Sequence, residues 1–89
     1  MEIRIQEHTL ARALERGTKK SEIIDVIVSG KNCNATNNRK CKYKLFEFNA
    51  IRNNRFYDQK RVEVIYVAEN NLISTVTVYV FYGKWEEQT

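Results

Sequence analysis

A chain of 89 residues has room for one modest hydrophobic core and none for a second folding unit or a dinucleotide-binding fold, so it reads as a single domain over residues 1–89. Hydrophobic residues make up 43% and charged residues 29%, with five Tyr, four Phe and one Trp, a balance that argues for a globular protein and against disorder. The net charge of +4 is unevenly placed: residues 1–30 are neutral, residues 31–61 carry +7 and residues 62–89 carry −3.

The basic middle favours a phosphate-bearing partner, because neutralising phosphates releases counterions and gives affinity independent of base sequence. On charge alone an anionic membrane surface would serve equally well. No apolar run is long enough to cross a bilayer, and the opening MEIRIQEH lacks the basic-then-apolar layout of a signal peptide. A cytoplasmic location without membrane association is therefore expected.

In chain order, Glu2 to Ile5 alternate polar and apolar residues and predict a short strand or extended lead-in. From Glu7 to Arg16, Leu10, Ala11 and Leu14 gather on one side of a helical wheel, so this helix is expected to bury its leucines. His8, Arg12 and Arg16 gather on the other side at four-residue steps and form one basic stripe. Gly17 supplies a left-handed stop, Thr18 is a candidate cap, and Ser21 to Ser29 carry Ile23, Ile24, Ile27 and Val28 at helical spacing before Gly30. The asparagine-rich stretch Lys31 to Lys40 reads as a loop.

Three strand-like runs follow, Tyr43 to Asn49, Val62 to Val67 and Ile73 to Tyr82. The first two are separated by the polar connection NAIRNNRFYDQK and the last two by a tight turn at Glu69-Asn70-Asn71. The expected class is α+β, two helices packed on an antiparallel sheet of three or four strands. In the last run, the valines at 76, 78 and 80 are expected to face the helices. Thr75, Thr77, Tyr79 and Phe81 then share an outer face suited to stacking on bases and bonding a ribose or phosphate, although the same residue types are common in any sheet.

Cys33 and Cys41 flank NATNNRK. One histidine and two cysteines so spaced match no common zinc pattern, and no metal is expected. In a reducing cytoplasm the pair is expected as free thiols, a disulfide across the loop being sterically conceivable. Asn34-Ala35-Thr36 matches a glycosylation sequon, which carries no weight without a secretory signal. With no glycine-rich phosphate loop, nucleophile elbow or carboxylate cluster for magnesium, no cofactor is expected and two-metal nucleases are disfavoured.

Helix physics accounts for part of the basic stripe. Arg16 lies in the last turn, where the carbonyl end of the helix favours a cation, and Arg12 can pair with Glu15. His8, at the start of the helix, gains nothing from the dipole and has no such explanation.

The order His8, Arg12, Arg16-Gly17, a second helix ending Ser-Gly, and then KYKLFEF, VEVIYV and TVTVYVFYGKW resembles the bacterial domain-of-unknown-function family 4258 over nearly the whole chain. That family is similar to the barnase, EndoU, colicin and RelE-like group of ribonuclease toxins. The resemblance implies a RelE/barnase-like fold and metal-independent RNA cleavage, in which the ribose 2′-hydroxyl attacks the adjacent phosphate. It implies His8 as the base or acid, Arg12 and Arg16 on the phosphate, and Thr77 and Tyr79 as hydroxyl contacts or a second proton-transfer group. Lys42 and Lys44, from the basic middle, join Arg16 as expected substrate contacts. RNA is the expected partner, together with an antitoxin or immunity protein. A non-catalytic nucleic-acid-binding module and a small protein-interaction domain are the alternatives.

Overall fold

The computed structural model describes residues 1–86. Its elements are β1 (Glu2–Arg4), α1 (Glu7–Arg16), α2 (Lys20–Ser29), β2 (Lys31–Cys33), β3 (Lys40–Arg52), β4 (Arg55–Glu69) and β5 (Leu72–Gly83). The class is α+β, as expected. The sheet, however, has five strands in the order β1-β5-β4-β3-β2 and is mixed, because β1 pairs parallel to β5 while all other pairs are antiparallel. No helix among the described residues is long and apolar enough to cross a membrane.

Both hairpins turn on asparagine pairs. Asn53-Asn54 join β3 to β4 and Asn70-Asn71 join β4 to β5, all four with positive φ between 51° and 65°. Left-handed backbone at both central positions is what a type I′ hairpin turn requires, and asparagine tolerates it better than other non-glycine residues. The connection expected over residues 49–60 is therefore mostly strand: a two-residue turn lets β3 and β4 run on through it, with a register shift at Asn49, whose φ is 46°.

Helix α1 closes at Gly17, whose φ of 97° and N–H bond to the Ala13 carbonyl make the expected left-handed stop. Its buried residues correct the wheel reading. Thr9 and Ala13 face the sheet, while Leu14 is 84% exposed and Leu10 37%. Small side chains at positions 9 and 13 let the helix backbone approach β5, and the Thr75 hydroxyl donates to Thr9 Oγ1 at 3.0 Å. In α2, Lys19 rather than Thr18 is the N-cap residue, with no side-chain capping bond. Thr18 instead donates its hydroxyl to Glu22 Oε1 at 2.9 Å.

Packing of α2 on β3 and β4 and of α1 on β5 forms the core, in which Ile23, Val26, Val62, Val64 and Val78 are fully buried. One charged pair lies at its margin. Lys60, 8% exposed, donates to Glu22 Oε1 and to the Gly17 carbonyl, both at 2.8 Å. Tyr66, on β4, is also buried, and burial raises its phenol above the ordinary tyrosine value. Desolvation raises that of Tyr82 too, opposed by the weaker effect of the Arg52 guanidinium over its ring. A folded-state pKa above the unfolded one contributes stability that is fully present below about pH 10 and lost as pH rises through the folded value. Alkaline unfolding is accordingly expected to begin above about pH 10, and to be less steep in Tyr82→Phe than in the parent when followed by circular dichroism.

Candidate functional site at the α1–β5 corner and open sheet face

Strand β5 has β1 as a partner only over Leu72–Ser74, so beyond that point its edge would be open. Helix α1 covers it with side chains. His8 Nε2 lies 2.7 Å from the Val76 carbonyl oxygen, and Arg16 Nη1 donates to the Val78 carbonyl at 2.6 Å. A carbonyl only accepts, so Nε2 carries the hydrogen and a neutral His8 ring presents Nδ1 as an acceptor. His8 thus has a structural reason that the sequence did not reveal: it bonds a backbone group that lacks a strand partner. Arg16, too, does more than meet the end of its helix, for its guanidinium sits 5.1 Å from the centre of the Tyr79 ring. Arg12 behaves as expected, paired with Glu15 at 3.2 Å on the exposed side of α1.

A bulge sets which β5 residues reach which face. Pairing passes from Ile65↔Thr77 to Tyr66↔Thr75, so Val76 is an extra residue and the alternation of side chains slips there. Thr75 consequently turns to the helix side and is 3% exposed, which corrects its expected place on the outer face. Thr77, Tyr79 and Phe81 keep theirs. Cross-strand rows on that face run Cys41–Ile65–Thr77, Tyr43–Glu63–Tyr79 and Leu45–Arg61–Phe81. Tyr79 and Phe81 are 42% and 47% exposed, with ring centres 6.4 Å apart. Arg61 lies 3.8 Å over the Tyr43 ring and donates from Nε to Glu63 Oε2 at 2.7 Å.

Lys42 and Lys44, expected as substrate contacts, alternate with Tyr43 and point to the other side. Lys42 donates to the Ile27 carbonyl at 3.1 Å, and Lys44 donates to Asp25 Oδ1 at 2.8 Å and to Ser29 Oγ at 2.9 Å. The Lys44 bond, then that of Ser29, holds the Asp25 carboxyl below the usual carboxylate range. Both lysines tie β3 to α2 and are separated from Thr77 and Tyr79 by the thickness of the sheet.

Cys33 and Cys41 form a disulfide, not the free thiols expected. The loop reading over 31–40 missed the three-residue strand β2, whose pairing with β3 sets the cysteines directly opposite with Cα atoms 5.0 Å apart, inside the range a disulfide spans. Their sulfurs and the Glu63 carboxylate lie within 4.8 Å of one another, but bonded sulfurs offer no thiolate to a metal. In a loop-closure account, a ring this short restrains the unfolded chain by about 2–3 kcal/mol. The Cys33→Ser/Cys41→Ser protein is expected to unfold at correspondingly lower urea concentration than the oxidised parent.

Residues 34–39 leave the bridge and arch over the open face. Their Ala35, Thr36 and Arg39 join Ile65, Thr77 and Tyr79 in lining a cavity of about 220 Å³. The sequence singled out Thr77 and Tyr79 but missed Arg39, Arg61 and Tyr43. The mid-chain basic charge contained both arginines, yet only strand register says that Arg61 and Tyr43 share the face of Tyr79. No family model, curated protein or solved structure matches the chain.

Proposed function

We propose that the protein is a metal-independent endoribonuclease of toxin type that acts at the corner where α1 meets β5. The observation that carries this reading is the linked set His8, Arg16 and Tyr79: an imidazole and a guanidinium fixed on successive open-edge carbonyls of β5, with the guanidinium against the Tyr79 ring. Cleavage by the ribose 2′-hydroxyl needs a base for that hydroxyl, an acid for the departing 5′-oxygen and a cation for the charge on the phosphorane. His8 Nδ1 accepts or returns a proton, and the Arg16 N–H groups not used on Val78 meet the phosphate. Arg12 can exchange its exposed bond to Glu15 for a phosphate at little cost. Tyr79, with Thr77 beyond it, offers a hydroxyl to the phosphate or the second proton-transfer group. Likeness to family 4258 and to the RelE/barnase-like fold belongs to the same proposal, supported by the HxxxRxxxRG pattern and by two helices on one face of a sheet. An antitoxin or immunity protein would be the natural partner of such an enzyme.

A second reading, a non-catalytic RNA-binding module, is favoured by the open face itself, where Tyr43, Tyr79 and Phe81 offer rings for stacking without any need of His8. Incubation of mixed RNA with the protein in EDTA separates the two. Fragments ending in a 2′,3′-cyclic phosphate are expected from the enzyme; intact RNA that binds in a salt-dependent way would leave the binding module.

A further inference from the structure

We infer that the cavity between the disulfide-closed loop and the open sheet face is a subsite for a single guanine base of the RNA, shaped by the Cys33–Cys41 bridge. The inference rests on the RNA reading above and adds a base preference and a redox dependence to it.

Size comes first. At about 220 Å³ the cavity falls below the roughly 300 Å³ at which drug-sized ligand pockets begin, so it suits one ring system and not a folded ligand. Its wall is half sheet and half loop. Ile65 and Ala35 give apolar surface, the Tyr79 ring gives a stacking plane, and Thr36 and Thr77 give hydroxyls. Arg39 gives the specificity. Arg39 lines the cavity and its guanidinium makes no hydrogen bond or ion pair with any described residue, so its paired N–H groups are free to turn toward a bound base. The nucleobase edge that matches a guanidinium fork is the O6/N7 edge of guanine, accessible in single-stranded RNA. Adenine presents a donor at one of those positions and pyrimidines lack the pair.

Location comes second. Tyr79 belongs both to the cavity wall and to the cation–π contact with Arg16. A base stacked there therefore lies beside Arg16, the last member of the α1 stripe. Cys41 stands in the same cross-strand row as Ile65 and Thr77, so the bridge lies at the cavity's edge, and the loop that supplies Ala35, Thr36 and Arg39 has both ends tied by it. Reduction releases one end and lets Arg39 leave the sheet. In a reducing compartment, where disulfides seldom persist, the subsite would be dismantled.

The test uses His8→Ala protein, which removes cleavage from the measurement, and single-stranded RNA pentamers with one guanine, adenine or cytosine in a uridine background, followed by fluorescence anisotropy. About ten-fold tighter binding of the guanine pentamer is expected from a bidentate arginine contact. That preference is expected to vanish in Arg39→Ala, and in the Cys33→Ser/Cys41→Ser protein or after reduction, while binding of the uridine pentamer falls only slightly. Circular dichroism confirms that each variant is folded. Equal affinity for all pentamers, or a guanine preference that survives either Arg39→Ala or reduction, would overturn the subsite and leave the RNA reading standing. No binding of any pentamer at low salt would overturn both.

Discussion

Replacing His8 with glutamine is expected to reduce RNA cleavage by about 10²–10⁴-fold, the usual contribution of a positioned acid or base, while leaving the fold and RNA affinity nearly unchanged. The choice of glutamine matters because His8 has two roles. Its Nε2 donates to the Val76 carbonyl at the open edge of β5, and loss of that bond in His8→Ala costs about 1 kcal/mol of stability in its own right. A glutamine amide can make the same bond from its terminal nitrogen but cannot shuttle a proton near neutral pH. Equal losses of cleavage in both variants, with a lower urea midpoint only for alanine, would identify proton transfer as the function of Nδ1. Full activity in His8→Gln would instead reduce the histidine to a cap on a strand edge, and the binding-module reading would take its place.

Breaking the Lys60–Glu22 pair has the largest expected effect on stability. Lys60 stands on β4 and Glu22 in the first turn of α2, and their side chains are only 10% and 17% exposed. The Thr18 hydroxyl and the Gly17 carbonyl complete the network, so this one site joins the end of α1, the start of α2 and the middle of the sheet. Removing one member, as in Lys60→Met or Glu22→Leu, leaves a buried charge without its counterion and is expected to cost about 3–5 kcal/mol. A domain of this size has on the order of 5–15 kcal/mol in all, so the single variants should be marginal at room temperature. The double variant Lys60→Met/Glu22→Leu is expected to recover much of the loss, since an apolar pair of similar volume avoids the desolvation of two charges. Urea unfolding of the three variants forms the cycle; single losses below about 1 kcal/mol would show that the pair behaves as an exposed one.

The two predictions draw on different parts of the chain's legibility. His8, Arg12 and Arg16 could be placed on one helix face from their spacing, and the bounds of α1 and its left-handed stop at Gly17 followed from local chemistry. Lys60 showed nothing in the sequence, where it ends a polar connection beside Arg61 and reads as another solvated cation. Its burial is a product of register: it lies opposite Phe46 on β3 and Tyr82 on β5, on the side that α2 covers. The same alternation, which the sequence could not phase across strands, turned Lys42 and Lys44 toward α2 and brought Arg61 beside Tyr43.

Local physics alone determined two helices ahead of three long strands, the asparagine turn at Asn70-Asn71, the glycine stop of α1 and the concentration of positive charge in the middle, because each depends on residues a few positions apart. Tertiary structure decided the rest. Which face of α1 is buried, where the β5 bulge turns Thr75 inward, whether Cys33 meets Cys41, and which cations stay free are all settled by pairings between distant segments, where the lowest-energy choice for one residue depends on what the other strand or helix brings to it. His8 shows the difference most plainly. Its spacing joined it to two arginines, but only the Val76 carbonyl, supplied from 68 residues away, explains how its ring is held and which nitrogen carries the hydrogen.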